Sequence, residues 1–169
     1  MSDISVAVLN QYLTFTLGKE KYGINIVNTR EVLEATELTR VPRMPEFMCG
    51  VINLRGSVVP VLDLKSKFKM DDGIGSIRNN IIVTEVDDLD GGDGKLTIGI
   101  YTDSVQKVLT IEPEDIEAAP KIGIPINTEF IHGMGKVDEE FIILLNINKI
   151  LNTKDLHIIR TKTEVPSGE

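Results

Sequence analysis

Arg55 is the residue whose type and setting most invite a chemical role. It sits in a Leu54-Arg55-Gly56-Ser57 corner between two apolar runs, Val51-Ile52 before it and Val58-Val59-Pro60-Val61-Leu62 after it. Glycine accepts a positive backbone angle at little steric cost, so Gly56 marks a tight turn. The guanidinium beside it presents five donors in a fixed fork that suits carboxylates and carbonyls. Two readings follow. Arg55 either pairs with a carboxylate of its own chain, such as Asp63, or contacts a partner at an exposed corner, where arginine is enriched in binding hot spots.

The other chemical candidates are weaker. A cysteine nucleophile needs a base and an orienting group. Cys49 lies in an apolar run, and the two histidines, His132 and His157, are far from it in sequence. The run Asp87-Asp88-Leu89-Asp90-Gly91-Gly92-Asp93-Gly94 suggests a calcium loop. Counted from Asp88, however, the fifth position is Gly92, the sixth Asp93 and the twelfth Gly99. An EF-hand loop wants an oxygen ligand, a glycine and a glutamate there, so the run reads as a solvated connection. Gly133-Met134-Gly135-Lys136 lacks the spacing and the Ser/Thr of a phosphate loop and reads as part of a strand turn. Glu37, Glu46 and the carboxylates from Glu112 to Glu117 form no acid–base couple. No catalytic residue, cofactor site or metal site is expected. The pattern points to recognition.

Composition agrees. The 169 residues are 41% hydrophobic and 26% charged, as in soluble globular proteins, with a formal net charge of −8. That charge argues against nucleic acid and against adsorption to an anionic membrane surface. A single cysteine permits no internal disulfide. The N-terminus lacks a basic region and a long apolar core, and no run approaches the ~20 apolar residues of a spanning helix. A cytoplasmic protein is expected.

The elements that position Arg55 are short strands. Leu13, Phe15 and Leu17 alternate with Tyr12, Thr14 and Thr16, the period of a half-buried strand, and Tyr22–Ile26 returns after a turn at 18–21. Asn28 and Glu31 have capping-box spacing, so 28–31 is either one helical turn or the approach to a strand at Val32-Leu33. Pro42 and Pro45 bracket a loop, and Met48–Leu64 forms the hairpin around Arg55. Leu64 and Phe68 have helical spacing. Asn80–Val86, Lys95–Tyr101 and Asp103–Ile111 read as extended, Glu112–Asn127 as a proline-containing loop, and Phe130–Val137 with Phe141–Leu145 as a hairpin. Ile147, Ile150 and Leu151 have helical spacing again, and the chain from Thr161 is a polar tail. No clear internal repeat is visible. The expected class is mainly β: two small barrels sharing a core, with short helices.

Five segments together resemble the CheW-like family of chemotaxis coupling proteins. They are YLTFTLGKEKYGINI from Tyr12, REVLE from Arg30, PEFMCGVINLRGSVVPVLDL from Pro45, IGIYTDSVQKVL from Ile98 and FIILLNINKIL from Phe141. The most specific is the NLRG corner followed by a VPVLDL strand. The resemblance spans Tyr12 to about Leu156 and implies two SH3-like five-stranded β-barrels sharing a hydrophobic core, in one domain over 1–169. It implies no catalysis. The implied partners are the cytoplasmic tip of a methyl-accepting chemoreceptor and the regulatory domain of the histidine kinase CheA, at receptor arrays on the inner membrane. Onto this chain it carries a receptor groove of Thr29, Glu31, Gly50, Asn53, Arg55, Ile81 and Val105. In that groove Gly50 lets a helix backbone approach, and Ile81 and Val105 supply apolar area. Kinase contacts fall near Leu38 and Val41 and around Glu117 and Ile122. At those last two positions relatives often carry a basic and an aromatic residue. Three other readings stay open. One is the kinase's own regulatory domain, which the Met1 start and polar tail argue against. The others are a CheW-like scaffold of a non-chemotactic pathway and a small-molecule-binding or hydrolytic barrel.

Overall fold

The computed structural model describes residues 10–69, 79–87, 94–119, 128–151 and 155. The alternating segments are strands. β1 (Gln11–Leu17) and β2 (Glu20–Asn25) form the first hairpin, and β3 (Thr29–Glu34) follows a 3-10 turn at Ile26–Asn28. β4 (Met48–Leu54) and β5 (Ser57–Asp63) form the hairpin around Arg55 and lead into α1 (Leu64–Lys67). β6 (Asn80–Asp87), β7 (Lys95–Thr102), β8 (Ser104–Thr110) and the two-residue β9 (Ile116–Glu117) come next. β10 (Ile131–Val137), β11 (Glu140–Leu145) and α2 (Ile147–Ile150) complete the described chain.

The choice left open at 28–31 resolves toward strand. The helical turn lies earlier, and its cap is Asn25, whose side chain accepts the Val27 N–H at 2.9 Å. An Asx-type cap needs the acceptor only two residues ahead of the amide, which Asn25 supplies. Asn28, inside the turn, instead reaches the Glu85 carbonyl at 3.4 Å.

The strands form two sheets, β3-β6-β7-β5-β4 and β8-β1-β2-β11-β10-β9. The first has the five strands expected. The second has a sixth, because β9 pairs Met134 and Gly135 along its edge. Each sheet curls around its own apolar cluster. Ile52, Val59, Val61, Ile81 and Val83 fill the first, and Tyr12, Ile111, Ile142 and Leu144 the second. A third, larger cluster lies between the sheets and takes residues from both, among them Phe15, Leu17, Ile24, Leu62, Ile100 and Ile143, together with Leu64, Ile147 and Ile150 of the helices. This explains why β1 is not half-buried. Leu13, Phe15 and Leu17 face the shared core, while Tyr12 and Thr14 on its other side are also buried.

The two sheets repeat one another. β6-β7-β5-β4, flanked by β3, corresponds to β1-β2-β11-β10, flanked by β8. In each, the central joint is parallel, with Val61 opposite Gly99 in one and Leu144 opposite Gly23 in the other. The bulges match too: one falls between Met48 and Gly50 and its counterpart between Ile131 and Gly133. Both bulge glycines are required by close approach. A Cβ on Gly50 would lie 2.6 Å from the Thr39 carbonyl oxygen, and one on Gly133 3.0 Å from that of Glu117. Gly50→Ala is therefore expected to lower the melting temperature by several degrees, since the obstacle is backbone and cannot rotate away. An unchanged melt would show that the 38–39 segment yields freely.

One polar joint crosses the shared core. Lys65 of α1 forms an ion pair with Asp103, just after β7, with side chains 5% and 16% exposed. Asp103 also accepts the N–H of Gly18, in the β1–β2 turn, at 2.8 Å. A helix of the first sheet is thereby tied to a turn of the second.

Candidate interaction site

The β4–β5 turn is a two-residue corner with positive φ at both central positions, 53° at Arg55 and 88° at Gly56. Turns of this hand match the twist of the flanking strands. Asn53 closes it by accepting the Gly56 N–H at 2.9 Å. The corner overhangs β3, and the Arg55 guanidinium donates to both carboxylate oxygens of Glu31, at 2.7 and 3.2 Å. Beside it Arg30 donates to Glu85 at 3.0 Å. A cavity of about 530 Å³ opens here, lined by the Arg55–Glu31 pair with Leu54, Val58, Val59 and Val83.

Arg55 therefore has a carboxylate partner, but it is Glu31 and not Asp63. Asp63 is 5% exposed at the end of β5, where it accepts the Lys65 N–H at 3.0 Å and caps α1. Asp63 is buried at the strand end that leads into α1, whereas Arg55 projects outward, with its side chain 73% exposed. The hydrogen bond from Arg55, followed by its charge and that of Arg30, holds the Glu31 carboxyl below its ordinary range. As a depressed acid, Glu31 keeps its charge as pH falls through the ordinary carboxylate range and loses it only below. A carbon-detected NMR titration should find Glu31 titrating at lower pH than in Arg55→Gln; equal midpoints would mean that the pair is not formed in solution.

The remaining groove candidates divide. Thr29 and Val105 occupy corresponding positions, each six residues past the corresponding glycine (Gly23 or Gly99), each before a bulge, on the flanking strands β3 and β8. Val105 is half-buried against the shared core, as is Ile26. The Thr29 hydroxyl is buried without a hydrogen-bond partner among the described residues. Gly50 does serve a close approach, but the backbone that fills the space is the chain's own Thr39. Ile81 is fully buried inside the first sheet, because β6 is a central strand with both faces covered. It offers no surface to a partner, and Ile81→Asp would test the fold and not a groove.

Two exposed residues escaped the sequence reading. Val32 is 40% exposed and Val108 47%, and they too correspond, opposite Ile82 and Leu13 respectively. Both lie on strands with a free edge. The signal was the alternation of TREVLE and SVQKVL, which an unresolved helix-or-strand choice concealed at the first.

Of the kinase candidates, Leu38 packs partly buried against the first-sheet cluster. Val41 is half-buried in the following loop. Glu117 is exposed on β9. Thr39 bridges Val51 and Glu117 opposes Met134, so these segments flank corresponding strands. Ile122, Asp88–Asp93 and His157 lie outside the described residues. Cys49 is on β4 and His132 on β10, in different sheets, and Gly133–Lys136 is strand interior. Among the described residues no three His, Cys, Asp or Glu side chains are placed to hold a metal ion, and no helix is long and apolar enough to cross a membrane.

Comparison with known proteins decides the family. Residues 11–155 match the CheW-like domain. The chain belongs to the CheW-like family. It is 34% identical to the chemotaxis protein CheW of Klebsiella aerogenes over 149 residues, covering 88% of this chain and 86% of that one. It is 32% identical to the protein FrzA of Myxococcus xanthus, covering 85% and 86%. The crystal structure of the scaffolding protein TtCheW from Thermoanaerobacter tengcongensis superposes with a TM-score of 0.73 at 31% identity, covering 86% of this chain and 90% of that one. This CheW-like protein thus shares the fold of TtCheW, and its family is one of coupling proteins and not of enzymes.

Proposed function

We propose that this CheW-like protein is a non-catalytic adaptor of bacterial chemotaxis, working as one unit that couples the cytoplasmic tip of methyl-accepting chemoreceptors to the histidine kinase CheA. It would be recruited to receptor arrays on the inner membrane through these partners. Kinship with chemotaxis proteins named CheW supports the pathway. The observation that carries the receptor contact is the Arg55–Glu31 pair, an outward bidentate fork at the rim of a cavity walled by valines. A helical receptor tip could set apolar side chains against such a wall and a carboxylate against the guanidinium. Thr29 and Val105, with the exposed Val32 and Val108 beside them, would extend that contact along the two free edges.

Kinase contacts are assigned to Leu38 and Val41 and to Glu117 and Ile122. That Thr39 and Glu117 flank corresponding strands supports paired faces able to dock a like-folded domain from either side. The two surfaces should be separable. Val41→Asp should weaken CheA binding and spare receptor binding, and Val105→Asp should do the reverse. Each change costs about 2–4 kcal/mol where the contact is fully desolvated, or roughly 30-fold to 1,000-fold in affinity. Pull-downs of both variants against both partners check this. If each variant loses both partners while its melt is intact, two surfaces are not present.

A CheW-like scaffold in another signalling pathway would show the same fold and surfaces but would fail to bind chemoreceptor tips. Co-sedimentation with receptor-bearing membranes and CheA, followed by kinase assay, separates the two.

A further inference from the structure

The repeat gives every contact between the sheets an internal control. On one flank of the shared core, Lys65 and Asp103 form the buried ion pair, and Asp103 takes the Gly18 N–H. The counterparts on the other flank follow from the matched strands. Lys65 stands four residues past Val61 and Asn148 four past Leu144, and Val61 and Leu144 are equivalent. Asp103 stands four past Gly99 and Val27 four past Gly23. Gly18 follows Leu17 as Asp87 follows Val86.

The second flank keeps the geometry and loses the charges. The Asp87 N–H still finds an acceptor, now Asn148 Oδ1 at 2.8 Å. Asn148 is shorter than lysine and neutral, and Val27 has no polar group. Where the first flank is filled by an ion pair, the second holds a cleft of about 360 Å³. Asn28, His132, Asn146 and Asn148 line it, and Val27, 55% exposed, lines it too. Asn146 corresponds to Asp63 but does not cap its helix, although Asp63 does. The full charges on the wall, Asp87 and Lys95, are paired with each other at 2.5 Å. None of Thr29, Glu31, Arg55 or Val105 lines this cleft.

We propose that this cleft is a second binding site, taking an extended, uncharged peptide segment of a partner protein. A carboxamide carries a donor and an acceptor side by side, as a peptide bond does. Asn148 Oδ1 and Asn28 Nδ2 are engaged within the chain, so Asn146 offers both groups, Asn148 its donor and Asn28 its acceptor to a strand's backbone without asking for a charge. The volume falls within the range of small ligand sites. An apolar side chain of the segment covers Val27. A cationic segment is disfavoured, because the carboxylate that holds Lys65 on the first flank is here a valine.

The test uses the full chain, labelled with nitrogen-15, and the capped tripeptide acetyl-Ala-Leu-Ala-amide as probe. The expected result is saturable shifts of the Asn146 and Asn148 side-chain amides and of the Val27 backbone amide. Val27→Asp with Asn148→Lys puts the first flank's ion-pair residues into the cleft, so it should abolish the shifts. Asn146→Leu, which disturbs no helix cap, should also abolish them and decides the matter if the double variant does not fold. No saturable shifts in the unaltered protein, or equal shifts in Asn146→Leu, overturn the proposal. So does tighter binding of acetyl-Ala-Lys-Ala-amide, which would make the site cationic in preference. The same shifts on raising protein concentration alone would mark a self-association surface and also overturn it.

Discussion

Lys65→Met is expected to lower stability by roughly 3–5 kcal/mol, because it leaves the Asp103 carboxylate in the shared core without its cation. For a chain of this length that is a fall of roughly 10 °C in melting temperature. The loss comes from the stranded charge and not from the absent attraction, since the desolvation cost of a buried pair offsets much of its Coulomb gain. Lys65→Met with Asp103→Asn should therefore recover most of the stability. Asparagine removes the charge but keeps an acceptor for the Gly18 N–H. If the single and double variants melt together, the stranded charge is not what destabilises. Breakage of the joint also frees a helix of one sheet from a turn of the other, so multi-step unfolding traces in the single variant would place the damage between the sheets.

Arg55→Glu is expected to abolish receptor co-sedimentation while leaving the melt nearly unchanged. An exposed ion pair contributes little to stability, and the turn itself is held by Asn53 and Gly56. Arg55→Lys should already impair binding, because lysine keeps the charge and loses the fork. The exchange of both partners, Arg55→Glu with Glu31→Arg, is the sharper experiment. It preserves an ion pair between the same two positions and moves the guanidinium onto β3. If the pair acts only by closing the corner against β3, the exchange restores coupling. If the receptor reads a guanidinium at the corner, the exchange stays inactive. A melt that falls in step with binding across these variants would sink the contact reading.

Most strands were legible because their apolar residues alternate and their turns carry glycine or charged pairs. Met48–Leu64 shows this best, since β-branched strands flank a corner that can only be tight. The repeat was not legible although it runs in chain order, with β1 to β5 corresponding to β6, β7, β8, β10 and β11 and the first two strands of each half placed in the other half's sheet. The spacing drifts, from Thr14 and Val83 to Gly50 and Gly133, because insertions such as β9 lengthen the second half. The matching residues are also often chemically unlike, as Lys65 and Asn148 are. At the site, residue types placed Arg55 on an outward corner, and its side chain is indeed 73% exposed there. They did not identify Glu31 as its partner through a hydrogen bond, because that pairing depends on how the first sheet curls. Ile81 was misjudged for the same reason: a short β-branched run reads alike whether one face or both are covered. Gly50 was read as room for a partner's helix, and only the fold shows that the chain's own Thr39 already occupies that space.

The coupling role is tested most directly by a three-component sedimentation assay. Membranes bearing a chemoreceptor are mixed with CheA and this protein, and both the pelleted CheA and its autophosphorylation rate are measured. The account predicts that CheA pellets and is activated only when this protein is present, that Arg55→Glu loses both effects, and that Val41→Asp pellets with receptor but leaves CheA in solution. Equal CheA recruitment and activity with and without the protein, using receptor and kinase competent to assemble with an established CheW, would contradict it.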